Sequence, residues 1–342
     1  MKEYLAFVRG HYQQLGFEEF YATLEAEGIK YKVTKTKEQI AFFTTKDNPL
    51  SAANRCAFLH SIIGLIAVGR VEGKNLNIEI LEDDYKLKQN SSFSVRVRKI
   101  GKKEVEIKST EMEKRLAKYV FDLFDEYNLE VNLKNPNHSF VGILIKDELF
   151  FGLELWSSDR KSYHKREPAK RPNFRPGSMK TDYARALVNL SRIRSGEVFL
   201  DPFCGSGGIL IEASLVGANC IGTDIDYKAA VSSTQNLNAF SSNFFSILIG
   251  DSRFLPIKNV QGIATDPPYS IQSSTHGEEL ENLIHSFLKE SESILSKNRY
   301  LVFSSPSKVA PEKLIQKTNY EIVSLIDTRI HKSLTRRILV VK

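Results

Sequence analysis

The chain has 342 residues, 42% of them hydrophobic and 26% charged, with a net charge of +7. So much apolar material excludes a disordered chain, the length suits two or three domains, and the moderately basic balance permits a nucleic-acid partner. Three cysteines without a CxxC pair, no signal-type apolar N-terminus and no run of ~18 apolar residues argue against a disulfide framework, a cysteine zinc site or a membrane partner, and lead us to expect a cytoplasmic protein.

In chain order, residues 4–10 (YLAFVRG) read as a strand and 16–28 as a helix ending on Gly28. Residues 31–36 and 39–45 read as strands. Apolar residues recur at three and four through 51–70, and the spacing predicts one long helix with Ser51 as its N-cap. These elements form a first α+β unit, residues 1–74. In the second unit, residues 75–155, the stretch 92–101 alternates: Val95 and Val97 point one way, Arg96 and Arg98 the other. Residues 110–128 have helical period, with Leu116, Val120, Leu123, Phe124 and Tyr127 near one face. Residues 131–155 read as strand, turn and two more strands.

The basic strand FSVRVRKIGKK, the amphipathic helix and the ending VNLKNPN…VGILI…LFFGLEL together resemble a THUMP domain with its preceding ferredoxin-like unit. That resemblance implies binding of structured RNA, with Arg96, Arg98, Lys99, Lys102 and Lys103 as phosphate contacts. Taken alone, an alternating basic strand is more often a solvated sheet face. Residues 156–180 carry eight Lys or Arg against two acidic residues, with three prolines. They read as an interdomain linker, 156–175, whose Arg166, Lys170 and Arg171 can meet phosphates. A merely solvated linker explains its first half equally well.

From residue 176 to 342 helices and strands alternate, which predicts a mostly parallel, Rossmann-like α/β sheet covered on both faces. The last two strands, 320–330 and 336–342, lie too close for an intervening helix and should form an antiparallel hairpin. Strand ends carry the chemistry of such sheets. DPFCGSGG (201–208) is a glycine-rich turn into a helix, and its Asp201 suits a cationic ligand better than a pyrophosphate. Asp224 ends the next strand, where a carboxylate can take two ribose hydroxyls, and Asp251 ends the third, within reach of an adenine amine. Each aspartate alone could be a helix cap or a turn residue. Together they describe a pocket for S-adenosylmethionine, with Phe203, Gly205, Ser206, Gly207, Ile225, Ser252 and Ser178 as further cofactor contacts.

The fourth strand ends in Asp266-Pro267-Pro268-Tyr269. A carboxylate and a proline carbonyl aimed at one point accept an NH2 group, and a tyrosine face can stack on a base. A proline-rich turn with a surface tyrosine is the plain alternative. Histidines 138, 164, 276, 285 and 331, five of the seven in the chain, show no metal-ligand spacing. Cys204 reads as a packing residue rather than a nucleophile.

DPFCGSGG, GTDID, GDSRFLP and TDPPYS resemble the ordered motifs of class I amino-methyltransferases. KREPAKRPNFRPGSMKTDYARALVNLSR and HKSLTRRILVV are similar to the archaeal tRNA guanine-N2 methyltransferases that act at guanosine 10. This resemblance spans nearly the whole chain. It implies methyl transfer from S-adenosylmethionine to guanine N2 of tRNA, giving mono- and dimethyl products. Ser270 departs from the family, which commonly has Gly after DPPY. Eukaryotic relatives act with a small zinc-binding activator subunit, and no motif of this sequence decides whether one is needed here. The competing expectations are an rRNA guanine-N2 or DNA adenine-N6 enzyme, and an inactive RNA-binding protein on the same fold.

Overall fold

The computed structural model describes residues 2–81, 84–101, 105–241, 243–268, 280–307, 310–331 and 334–342. Two compact units emerge. One comprises Met1–Gln13, Ile29–Ala53 and Leu59–Ser158; the other comprises Gln14–Gly28, Asn54–Phe58 and Asp159–Lys342.

The chain opens with β1 (Lys2–Val8) and helix α1 (Gln13–Ala26), followed by β2 (Tyr31–Lys37), β3 (Ile40–Thr45) and α2 (Leu50–Arg55). Then come β4 (Leu59–Glu72), β5 (Asn75–Ile80), β6 (Ser92–Ile100), α3 (Ser109–Leu123), β7 (Glu130–Val131), β8 (His138–Ile145) and β9 (Glu148–Ser157). The nine strands form one sheet in the order β2-β3-β1-β4-β9-β8-β6-β7, with β5 paired to β4.

Two expectations are corrected here. The helix predicted over 51–70 is only α2, whose start is held by Asn48: the Leu50 N–H donates to its Oδ1 at 3.0 Å. The apolar run beyond it is β4. This strand is central, pairs with β1, β5 and β9, and is buried at every residue from 61 to 67. A run buried on both faces has no alternation, so its period cannot separate strand from helix. The boundary near residue 74 also fails. Ile66, Ala67 and Val71 of β4 share a core with Phe93, Leu116, Phe140 and Phe151, so residues 1–74 and 75–155 are not separate domains.

The second unit contains α4 (Arg160–Lys165), α5 (Thr181–Leu190), β10 (Val198–Asp201), α6 (Gly208–Leu215), β11 (Asn219–Asp224), α7 (Tyr227–Phe240) and β12 (Phe245–Ile249). It continues through β13 (Val260–Thr265), α8 (Leu280–Ile294), β14 (Leu295–Pro306), α9 (Glu312–Ile315), β15 (Ile322–His331) and β16 (Leu334–Val341). The sheet order is β12-β11-β10-β13-β14-β16-β15. β10 to β14 run parallel, and β16 is antiparallel to both β14 and β15. The predicted hairpin is therefore present. β10 lies between β11 and β13, so the connections diverge there and leave a crevice at the carboxyl ends of the strands.

The expected linker 156–175 is not one. Trp156 and Ser157 finish β9, and from Asp159 the chain is part of the second unit. Asp159 caps α4 through the Lys161 N–H at 3.0 Å, and Arg166 is paired with Glu212. The second unit also includes α1. Glu19, fully buried, accepts from the N–H groups of Ala57 (2.8 Å) and Phe58 (2.7 Å) and from Asn189 Nδ2 (2.8 Å). Arg192 of the segment after α5 donates to Glu25 at 2.7 Å. Residues 176–342 alone would lack these partners. Among the described residues, no helix is long and apolar enough to cross a membrane.

Candidate active site

β10 ends on Asp201, and the chain turns through Gly205 (φ 54°) and Gly207 (φ 78°) into α6. Both glycines hold left-handed backbone that side chains disfavour. A Cβ on Gly207 would also lie 2.6 Å from Ser233 Oγ. The loop is tied to β11: Cys204 N–H donates to Thr223 O (2.9 Å), and Gly205 N–H to Asp224 Oδ2 (2.8 Å). Asp224 Oδ1 accepts from the Asp226 N–H, and Asp226 pairs with Arg175 at 2.6 Å.

These loops enclose a cavity of ≈ 590 Å³, within the usual range for small-molecule sites. Ser178, Asp201, Phe203, Gly205, Ser206, Asp224, Ile225, Asp251, Ser252, Asp266 and Pro268 all line it. The structure thus brings together the sequence-predicted residues of four strand ends. Ser178 and Ser206 share a hydroxyl hydrogen bond at 3.1 Å. Gly207 shapes the turn without lining the cavity, and Pro267 is buried beside it. Tyr269 and Ser270 lie outside the described residues.

The carboxylates differ in state. Asp201 is 1% exposed and accepts from Thr265 Oγ1 at 2.7 Å; burial pushes it up to about 7. Burial also raises Asp224, against the pull of its backbone donors. Asp251 is forked by Arg253 at 2.6–3.0 Å, which holds it below the usual carboxylate range. Asp266 accepts from Ser304 Oγ on one oxygen and from Arg336 Nη2 at 3.0 Å on the other. Burial raises it, while Arg336 and Ser304 oppose the rise. Buried carboxylates with raised pKa mark a site suited to a positive ligand. Cys204 is 4% exposed and burial lifts its thiol far from the thiolate form, so packing is its evident role. Among the described residues, no group of three or more His, Cys, Asp or Glu is placed to hold a metal.

The basic residues divide. Arg96 is 49% exposed, 3.8 Å from Glu113; Arg98 is 43% exposed, 3.9 Å from Glu154. Lys99 donates to Ile107 O at 3.3 Å, and Lys170 is exposed. Lys102 and Lys103 lie outside the described residues. Arg166 and Arg171 are corrections to the phosphate-contact expectation. Arg166 grips Glu212, which is fully buried and also bound by Arg185 at 2.8 Å. Arg171 is 5% exposed, lines the cavity, and its terminal nitrogens have no hydrogen-bond partner among the described residues. A guanidinium turned inward cannot sit on an external phosphate. Arg336 and Ser304 were not anticipated. The motif HKSLTRRILVV was visible, but nothing local says which strand its arginines face.

Residues 168–338 match the family described as "RMKL-like, methyltransferase domain". A second family, described as "DNA methylase", matches residues 22–234. The tRNA (guanine(10)-N2)-dimethyltransferase of Methanothermobacter thermautotrophicus is 32% identical over 99% of both chains. The protein of the same name from Methanocaldococcus jannaschii is 30% identical over 98% of both. Among solved structures, TrmN from Thermus thermophilus superposes with a TM-score of 0.55 at 19% identity, covering 100% of this chain and 99% of the other. That last likeness carries the fold alone. With the sheet order, the four aspartate-bearing strand ends and full-length relatives in agreement, the chain belongs to the tRNA (guanine(10)-N2)-dimethyltransferase family.

Proposed function

We propose that this protein transfers methyl groups from S-adenosylmethionine to the exocyclic N2 of guanosine 10 in tRNA, giving the mono- and then the dimethyl product. The observation that carries this reading is Asp266. It lines the same cavity as the glycine turn, in a chain whose relatives of equal length are named for that reaction.

The donor set fits the cofactor. Asp224 suits the ribose hydroxyls, Asp251 and Ser252 the adenine edge, and Phe203 and Ile225 its apolar faces. Asp201 suits the cationic amino-acid end, and the buried Arg171 beside the start of α6 suits a carboxylate. When bound, S-adenosylmethionine supplies an electrophilic methyl group. The guanine amine needs positioning more than prior deprotonation, because its lone pair is delocalised into the ring. Asp266 and the Pro267 carbonyl would accept its two N–H bonds and turn the lone pair outward. Tyr269 would stack on the base, which must first leave any paired stack. Such preorganised acceptors contribute several kcal/mol, about the loss seen when one is removed from an active site. The proton leaves once the nitrogen is cationic, to Asp266 or water. Arg96, Arg98 and Lys99 would hold phosphates without reading bases. A tRNA substrate would place the protein in the cytoplasm.

The test is mass spectrometry of nuclease digests of tRNA and rRNA after incubation with the purified chain and cofactor. Methyl and dimethyl guanosine at position 10 of tRNA is the expected result; methylation confined to rRNA would refute it. Calorimetry with S-adenosylmethionine separates an inactive RNA-binding protein, which shows no heat of binding. Binding without turnover until a small zinc-binding subunit is added would identify an activator requirement.

A further inference from the structure

No described residue of the motif HKSLTRRILVV lines the cavity, yet one of them reaches the reacting edge. β13 carries Asp266 at its carboxyl end, and β14 lies parallel beside it, with Thr265 opposite Phe303. Ser304, fully buried, is therefore level with Asp266 and donates to its Oδ1. β16 is antiparallel to β14, with Arg336 opposite Pro306 and Ile338 opposite Ser304. That reversal decides the matter. An antiparallel strand brings its beginning, not its end, to the carboxyl edge of a parallel sheet. Arg336, near the start of β16 and 8% exposed, thus spans β14 and donates through Nη2 to Asp266 Oδ2 at 3.0 Å. Its neighbour Arg337, on the opposite face, is bound by Asp327 and Glu312 instead.

We propose that Arg336 is a positioning residue: it fixes the rotation of the Asp266 carboxylate and keeps it charged, so that the oxygens present lone pairs to the target amine. The inference rests on the function proposed above and assigns a residue to it. Among the described residues, the charged groups facing Asp266 are Arg336 from β16 and the like-signed Asp201 from β10; Ser304 from β14 is the neutral donor. Asp266 is itself only 16% exposed. A buried carboxylate beside a second one takes up a proton unless a cation is fixed next to it. Once protonated, it presents an O–H to an amine that needs an acceptor. Two further consequences follow from the geometry. Among the described residues, each Asp266 oxygen holds one donor, which leaves one lone-pair direction on each for substrate. The same arginine weakens Asp266 as a base, which favours its role in aligning the amine over taking its proton.

The experiment uses the full chain labelled with carboxyl-13C aspartate. Asp266 is assigned with Asp266→Asn and titrated in the wild type, Arg336→Gln and Arg336→Lys. Arg336→Gln should raise the Asp266 inflection by at least about one pH unit, a tenfold change in proton affinity. Its methyl-transfer rate at neutral pH should fall by about 100-fold, the size of losing one preorganised group. That deficit should shrink as pH rises, with the tRNA KM near wild type, and Arg336→Lys should recover part of the rate. Ser304→Ala, which removes the other donor, should shift the inflection the same way by less, and serves if Arg336→Gln fails to fold. An unchanged Asp266 inflection in the folded variants, or a rate deficit independent of pH and not relieved by lysine, overturns the proposal. Absence of tRNA methylation by the wild type would instead strike the proposed function, since the carboxyl titration needs no substrate.

Discussion

Asp201 and Arg98 are both charged side chains carried on strands, and the protein treats them in opposite ways. Asp201 is 1% exposed, bonded to Thr265 and Phe203, and held near neutrality by burial. Arg98 is 43% exposed, and its acidic partner Glu154 stands 3.9 Å away. The carboxyl edge of the second unit's sheet spends desolvation on holding a few acids in one place, and such charges select a ligand by shape and sign. The basic face of β6 leaves its charges in water, where screening weakens each one and only their sum acts. The first arrangement predicts large effects from single residues, the second small effects that depend on salt.

Asp266→Ala should test the first arrangement most severely. Turnover should fall at least about 1000-fold, roughly 4 kcal/mol of transition-state stabilisation. Calorimetry should find cofactor affinity near wild type, because Asp266 serves the amine. A variant keeping more than about a tenth of the rate would show that positioning lies elsewhere.

Glu212→Ala asks whether the buried charges beneath the glycine turn behave alike. Glu212 is fully buried between Arg166 and Arg185. Its removal strands two guanidinium groups and should cost about 3 kcal/mol of stability, the lower end for breaking a buried pair because Arg166 keeps some exposure. Denaturant unfolding of the full chain measures this. A cost below about 1 kcal/mol would place the trio with the exposed charges instead.

The pH dependence of cofactor binding sharpens the comparison further. Burial pushes the Asp201 carboxyl up to about 7 in the fold, from an ordinary value of 3.8. Its protonation therefore favours the folded, ligand-free protein fully below pH 3.8, and that contribution is lost as pH rises through about 7. A cationic ligand needs the ionised form. Affinity for S-adenosylmethionine should rise with pH between 5.5 and 7, by up to about tenfold per unit, and level off above. Asp201→Asn should flatten the curve. Calorimetric affinities that fall with rising pH would contradict the assignment.

The smallest effect belongs to β6. Replacing Arg96 and Arg98 by Gln should weaken tRNA binding several-fold, and the slope of log affinity against log salt should decrease by about 2, one for each lost phosphate contact. Cofactor affinity should not move. An unaltered slope in filter-binding titrations would mean that these arginines serve only their partners Glu113 and Glu154.

How much of this was legible in the chain depended on distance along it. Asp201, Gly205, Gly207, Asp224, Asp251 and Asp266 were legible because each ends a strand or follows one within a few residues. Local backbone rules place such residues at the carboxyl edge, whatever surrounds them. The antiparallel ending was readable for the same reason, since too few residues separate 330 from 336 for a crossover. The run 59–70 was misread because burial on both faces removes the alternation that identifies a strand. Arg166 and Arg171 were misassigned because composition counts charge and not direction. The place of α1 within the second unit, joined through Glu19 to Asn189, lies 170 positions away in sequence. The grip of Arg336 on Asp266 spans 70. Motif and spacing set where each strand end points. Only folding decided which strands became neighbours, because that choice is made by burying whole faces, and no short stretch carries the information for it.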